Sequence, residues 1–224
     1  AAYTTTPVTF GSGWAFTTRF QFQITDPGGV DPADGLAFVI VADPTGLGTT
    51  GSGMGYAGVK NSIAIEFDIY DNASGEGSYN HVDVAVDGVI PHDDGPPSPY
   101  GMEICSFDVY SDPRTSGCMA NGHIWTVVIE YDGTLLDVFV QDPERAQEHI
   151  IEDYAIDIGA ILGTSAAYVG FSAGTGGGYA NHDILNWRFE TTTEPAGRVP
   201  EPGTLALVGL GLAGIGLLGR RRIR

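Results

Sequence analysis

Residues 63–81 read IAIEFDIYDNASGEGSYNH. An apolar strand, 63–69, runs directly into an acidic loop that ends in a histidine. Glu66 and Asp68 sit two apart, and because side chains alternate along a strand, both leave the same face. Asn72, Glu76 and His81 follow, so hard oxygen ligands and one imidazole crowd a single strand and loop. This segment separates three fates for a β-rich extracellular domain: a metal-dependent binder, a glycoside hydrolase, or an inert structural module.

Outward from this stretch the pattern stays that of a sheet protein. Residues 16–24 (FTTRFQFQI) alternate apolar with polar, as expected of a strand with one wet face. Residues 26–32 (DPGGVDP) form a turn, 36–41 (LAFVIV) a buried strand, and 82–86 the strand after the acidic loop. Residues 43–58 make a long glycine-rich loop, a length that usually signals function or disorder. Residues 124–131 (IWTVVIEY), a turn at Asp132-Gly133 and 135–140 (LLDVFV) spell a hairpin. Residues 168–173 and 184–189 are the last strands, joined through the glycine turn 174–178, and 158–162 is a short helical turn. Residues 92–122 are a Pro-, Asp- and Gly-rich excursion. There is no internal repeat.

Composition agrees. The chain has 224 residues, 33 of them glycine, and no sustained helical period outside its C-terminus, which favours an all-β sandwich. The net charge of −18 argues against a nucleic-acid partner, since phosphate binding needs clustered Lys and Arg. Acidity suits solubility or cation binding. Cys105 and Cys118 bracket a short loop. As a disulfide they would contribute about 3 kcal/mol on the chain-entropy model and suit an oxidising compartment; two free thiols is the other reading. No histidines stand at zinc-finger spacing beside them.

The last residues, 199–224, read VPEPGTLALVGLGLAGIGLLGRRRIR. A Pro-Glu-Pro element precedes an uncharged stretch, 203–219, barely long enough for a hydrocarbon core of ~30 Å, and arginines close the chain on its cytoplasmic side. This order resembles the PEP-CTERM sorting signal of Gram-negative bacteria. It implies export, an apolar membrane helix that anchors the chain in the inner membrane, and processing by an exosortase before release to the cell surface or extracellular matrix. Residues 194–198 (EPAGR) link body to tail, leaving 1–193 as the folded domain. The chain begins Ala1-Ala2-Tyr3 without a methionine or an apolar leader, so its N-terminus is expected to be truncated or processed.

Two carboxylates on one sheet face repel unless a cation lies between them or one is protonated. Calcium prefers six to eight oxygens, whereas imidazole with carboxylates suits manganese or zinc. One loop with both characters suggests adjacent cations sharing Asp68 and Glu76. At this point a resemblance appears. Residues 63–81 are similar to the metal loop of legume-type (L-type) lectins. Ala33-Asp34-Gly35-Leu36-Ala37-Phe38 resembles that family's sugar-binding aspartate motif, and Gly55-Tyr56-Ala57-Gly58 its backbone-amide loop. Residues 168–189 (YVGFSAGTGGGYANHDILNWRF) resemble its last strands and variable loop. Bacterial members of the family match best.

The resemblance implies a concanavalin-like jelly-roll β-sandwich of antiparallel sheets. It also implies a transition-metal ion, Mn2+, on Glu66, Asp68, Glu76 and His81, and Ca2+ on Asp68, the Tyr70 carbonyl, Asn72 and Glu76. Asp34, Asn72 and the Gly55 amide would bond sugar hydroxyls, with the Tyr70 ring stacked on the sugar. Gly177, Gly178 and Tyr179 would shape specificity. The family carries a cis peptide at the position of Ala33–Asp34, tied to the calcium site. This chain departs from the pattern at Glu76, where Asp is usual, in a loop one residue shorter. The family's first strand is also missing, which predicts one exposed sheet edge, and the cysteine-bearing excursion has no plant counterpart.

Two other readings remain open. Residues 66–71 also resemble the signature of retaining β-glucanases, with Glu66 as nucleophile and Asp71 as acid/base. Such chemistry needs carboxyls ~5 Å apart, and Asp71 is short for it. A structural surface protein with an inactive sugar site is the third. Asp34-Gly35 alone could be a turn, the 53–58 glycines lack the residues of a phosphate loop, and His182-Asp183 has no nucleophile beside it. His92, His123 and His149 read as surface residues. The reading favoured is a non-catalytic, calcium- and manganese-dependent carbohydrate binder that meets glycans or extracellular polysaccharide, with homo-oligomerisation left open.

Overall fold

A computed structural model describes residues 1–11, 13–30, 32–70, 72, 80–91, 102–103, 119–144 and 146–191. Asp71, Glu76, His92, Cys105, Cys118, the linker 194–198 and the tail 199–224 therefore lie outside the described residues. The strands are β1 (Ala2–Tyr3), β2 (Val8–Thr9), β3 (Phe16–Gly29), β4 (Gly35–Val41), β5 (Ser62–Asp68) and β6 (His81–Val86). They continue as β7 (Met102–Glu103), β8 (Ile124–Tyr131), β9 (Leu135–Gln141), β10 (Glu148–Ala155), β11 (Ala166–Gly174) and β12 (Gly178–Thr191), with one helical turn, α1 (Ile158–Leu162). No helix among the described residues is long and apolar enough to cross a membrane.

Two antiparallel sheets face each other. One runs β1-β11-β4-β5-β6-β7, with β2 also pairing β11; the other runs β10-β9-β8-β3-β12. Alternation explains the packing. In β3, Phe16, Phe20, Phe22 and Ile24 are buried between the sheets, and from the opposite sheet Leu36, Phe38, Ile63, Ile65 and Phe67 meet them. Phe20 lies edge-on to Phe67 with centroids 5.8 Å apart, and Phe22 stacks on Trp125 at 6.2 Å, offset geometries that add to simple area burial.

The other face of the larger sheet is also covered. Ala37, Val39, Val41, Ala64 and Ala85 pack against Met54, Tyr56, Ala57 and Val59. The glycine-rich stretch 43–58 is therefore an ordered roof rather than a disordered loop, and it turns through a short 3-10 segment, Gly51–Gly53.

Most elements stand where the sequence pattern puts them, with three differences. β3 runs on to Gly29, through the predicted 26–32 turn, with Asp26 and Gly29 at positive φ (51° and 82°) absorbing the irregularity. β12 is more than twice as long as the 184–189 run and pairs with β3 from Gly178 to Thr191. β10 was not expected at all. Among the described residues neither β10 nor β12 has an outer strand partner, while the β11 edge is lined by β1 and β2.

Candidate functional site

β5 and β6 pair so that Asp68 stands opposite His81 and Glu66 opposite Asp83. Ile63, Ile65 and Phe67 belong to the inner core, so Glu66 and Asp68 project from the outer face under the 43–58 roof. The strand-face argument made from sequence is thereby realised. Glu66 is 0% exposed, Asp68 3% and His81 1%, and His81 Nε2 lies 3.5 Å from Glu66 Oε1. Charged groups are rarely buried this completely without a compensating charge or bond. Glu66 Oε2 accepts a hydrogen bond from the Tyr56 hydroxyl. Burial first, and the negative charge of Glu66 second, holds the Tyr56 phenol far above its ordinary pKa, so it stays a donor.

The strand then hands over to the loop. Asp68 Oδ1 accepts from the Tyr70 amide (2.7 Å), and Asn72 Nδ2 donates to the Tyr70 carbonyl (3.5 Å). Next to them the Ala33–Asp34 peptide is cis. The Asp34 carbonyl accepts from Ile69 N (2.9 Å) and the Asp34 amide donates to the Gly174 carbonyl (3.0 Å), which ties this residue both to the residue after β5 and to the end of β11. Gly35 follows at φ 143°, where a Cβ would stand 2.4 Å from the Phe67 carbonyl oxygen. No larger residue fits there, so the Asp34-Gly35 pair is more than a generic turn.

The turn between β11 and β12 closes the other side. Gly176 N donates to the Gly178 carbonyl (2.9 Å) and Val30 N to the Gly177 carbonyl (3.3 Å). A Cβ on Gly176 would lie 3.8 Å from Asp34 Oδ2 and 4.0 Å from the Gly51 Cα. The structure thus brings Asp34, the 51–53 turn and the 174–178 turn together. Gly55 differs from its expected part. Its amide already donates to the Thr49 carbonyl (2.8 Å), and the stretch of roof that borders Gly174 and Gly176 is Gly51–Met54. Tyr179 is exposed, on the side of β12 opposite buried Ala180, with its ring laid over Gly28.

Sequence reasoning missed two polar residues here. Asp83 is 0% exposed and shares the His81 face; its position two residues after His81 on a strand was the available signal. Tyr56 sits in a glycine-rich stretch with no periodicity to announce it. Of the histidines expected on the surface, His149 is exposed, whereas His123 is half-buried, and both are engaged. His123 Nδ1 is 2.9 Å from Asp142 Oδ2 and its Nε2 3.9 Å from Glu144 Oε1. These three could group around a cation, but Asp142 is already held by Asn121 and the Glu144 amide. That network fastens the start of β8 to the end of β9. His149 pairs with Asp137 at 2.8 Å and stacks on Phe139.

Comparison with known proteins gives a consistent picture. The legume lectin domain family matches residues 5–203, and the PEP-CTERM protein-sorting motif matches residues 198–222. A lectin-like protein of Arabidopsis thaliana is 27% identical over 202 residues, covering 83% of this chain and 80% of that protein. The lectin alpha chain of Lablab purpureus is 28% identical, covering 84% of this chain and 65% of its relative. Among solved structures, basic winged bean lectin in complex with Tn-antigen superimposes with a TM-score of 0.66 at 28% identity, covering 84% of this chain and 77% of that one.

Proposed function

Because the chain belongs to the legume lectin domain family, we propose that it is a non-catalytic carbohydrate-binding protein whose sugar site depends on divalent cations. The observation that carries this reading is the convergence on Asp34. Its backbone is bonded to Ile69, next to Asp68, and to Gly174 at the end of β11, so the group that would hold a sugar hydroxyl is anchored beside the strand that would hold the metal. Basic winged bean lectin is described with a bound Tn-antigen, which supports the same class of ligand here.

The donor set fits the cations expected of the family. Glu66, Asp68 and His81 offer buried oxygens and one imidazole suited to Mn2+, and Asp68, the Tyr70 carbonyl and Asn72 offer oxygens suited to Ca2+; Glu76 would complete both. When bound, the ions would neutralise the carboxylates and hold the Asp68–Asn72 segment in place. The chain's own residues would do the recognising. Asp34 accepts, Asn72 donates, the Tyr70 ring offers an apolar face, and the 51–53 turn and Gly177, Gly178 and Tyr179 border the opening. With the Gly55 amide engaged by Thr49, a backbone donor to the sugar falls to the 51–53 turn.

The sorting motif marks the chain as an exported protein of the exosortase type. Transient inner-membrane anchoring through residues 203–219, release to the surface or matrix of a Gram-negative bacterium, and the division into 1–193, 194–198 and 199–224 complete the reading. Family membership sides with binding over the hydrolysis that Glu66 and Asp71 would perform. Retention on immobilised glycans tests it: Asp34→Ala abolishes retention if the assignment holds, and unchanged retention leaves the structural-protein reading in its place.

A further inference from the structure

We propose that Asp83 is a ligand of the transition-metal centre, alongside Glu66, Asp68 and His81, and that Tyr56 is its positioning residue. This inference rests on the metal-dependent reading above and deepens it.

The argument is one of register. His81 and Asp83 lie two apart on β6, opposite Asp68 and Glu66 on β5, so the four side chains form a two-by-two patch on one face. Directly opposed Cβ atoms in an antiparallel pair are about 5 Å apart, close enough for all four to reach one ion. The patch is dry, since Glu66 and Asp83 are 0% exposed, His81 1% and Asp68 3%, and Met54, Tyr56, Ala57 and Val59 cover that face of the sheet. Asp83 Oδ1 accepts from the Val84 amide (2.6 Å), which fixes the carboxylate, and its Oδ2 is buried as well.

Tyr56 reports on the same patch from above. Its hydroxyl donates to Glu66 Oε2. Tyr56 is itself buried against the same face of the sheet. A fixed donor on one oxygen of Glu66 orients the other toward His81, 3.5 Å away. Partners that orient first ligands in this way tune metal affinity about 10–100-fold. Three carboxylates with one imidazole suit Mn2+ or Zn2+ rather than Ca2+. Asp83 brings its carboxylate from strand β6.

Calorimetric titration with Mn2+ of the metal-stripped protein tests the proposal, read beside melting temperatures in EDTA. Asp83→Asn, Asp83→Ser and Tyr56→Phe are each expected to weaken Mn2+ binding at least about tenfold. The Asp83 variants are also expected to melt in EDTA no lower than the wild type, because a like charge has gone. Wild-type Mn2+ affinity in either folded Asp83 variant overturns the proposal. So does failure of both to fold with and without Mn2+, which assigns Asp83 a purely structural part. A wild-type chain that takes up no Mn2+ overturns the metal-dependent reading itself, and this inference with it.

Discussion

β5 has two faces, both buried and yet opposite in chemistry. Ile63, Ile65 and Phe67 enter the aromatic core between the sheets, whereas Ala64, Glu66 and Asp68 lie under the 43–58 roof. The inner face is stabilised by apolar burial, at about 25 cal/mol per Å², whatever the solution contains. The outer face places carboxylates where water cannot solvate them, and its stability depends on what neutralises them. Burial alone therefore does not make a residue part of the fold's foundation. Alternate residues of one strand can serve folding and binding separately.

The largest expected difference lies at the outer face and its neighbour. Asp34→Ala should weaken glycan binding at least about 30-fold, since truncating a buried hydrogen-bonding partner costs roughly 2–5 kcal/mol, while the melting temperature moves little. Equal binding by the two proteins, measured by calorimetry, would break the comparison. At the inner face Phe67→Ala should cost about 3–5 kcal/mol of stability through the cavity it leaves. Urea denaturation should give the same loss with Ca2+ and Mn2+ present or chelated. A loss that appears only in the loaded protein would mean the two faces are not independent.

His182 sharpens the comparison, because it is an ionisable group at the margin of the inner face. It is half-buried, and its Nε2 makes no hydrogen bond. Desolvation lowers its pKa from 6.5 to about 4, against a smaller upward pull from Asp183. Between those values the unfolded chain takes up a proton that the folded chain refuses. The His182 contribution is therefore intact above about pH 6.5 and is lost as the pH falls toward 4. His182→Phe should flatten the stability–pH curve in that window by on the order of 2 kcal/mol, after allowance for partial exposure. Coincident curves for the two proteins would refute the assignment. The smallest effect belongs to neither face. Asp157 caps α1 by accepting from the Ala160 amide (2.8 Å), and Asp157→Ala should cost about 1 kcal/mol in chemical denaturation, with glycan binding unchanged.

Legibility of the sequence followed the same division. Strands with strict alternation or a clear turn, such as 124–131 and 135–140, were readable because one face of each is buried and the other is not. β10 was not, and its residues say why: Ile150 and Ile151 are adjacent and both buried, and register shifts fall at 149/151 and 151/154, so bulges erase the period of two. β12 looked short because residues 181–183 (NHD) are polar on an edge. At the site, Glu66 and Asp68 were readable from spacing, and Asp34 from its motif. Tyr56 was not, since its position comes from the path of a glycine-rich loop rather than from any repeat. Gly55 was named for its amide, which donates to the Thr49 carbonyl; glycines in a row give no register until such partners are seen.

The central claim is that the buried carboxylates of the outer face, once neutralised by cations, hold a carbohydrate site. A glycan array probed with the purified domain before chelation, after EDTA, and after return of Ca2+ and Mn2+ tests it most directly. The account predicts binding to a defined set of glycans, its loss in EDTA, and its recovery with the ions. Binding that survives EDTA unchanged, or no glycan bound in any of the three states, would contradict it.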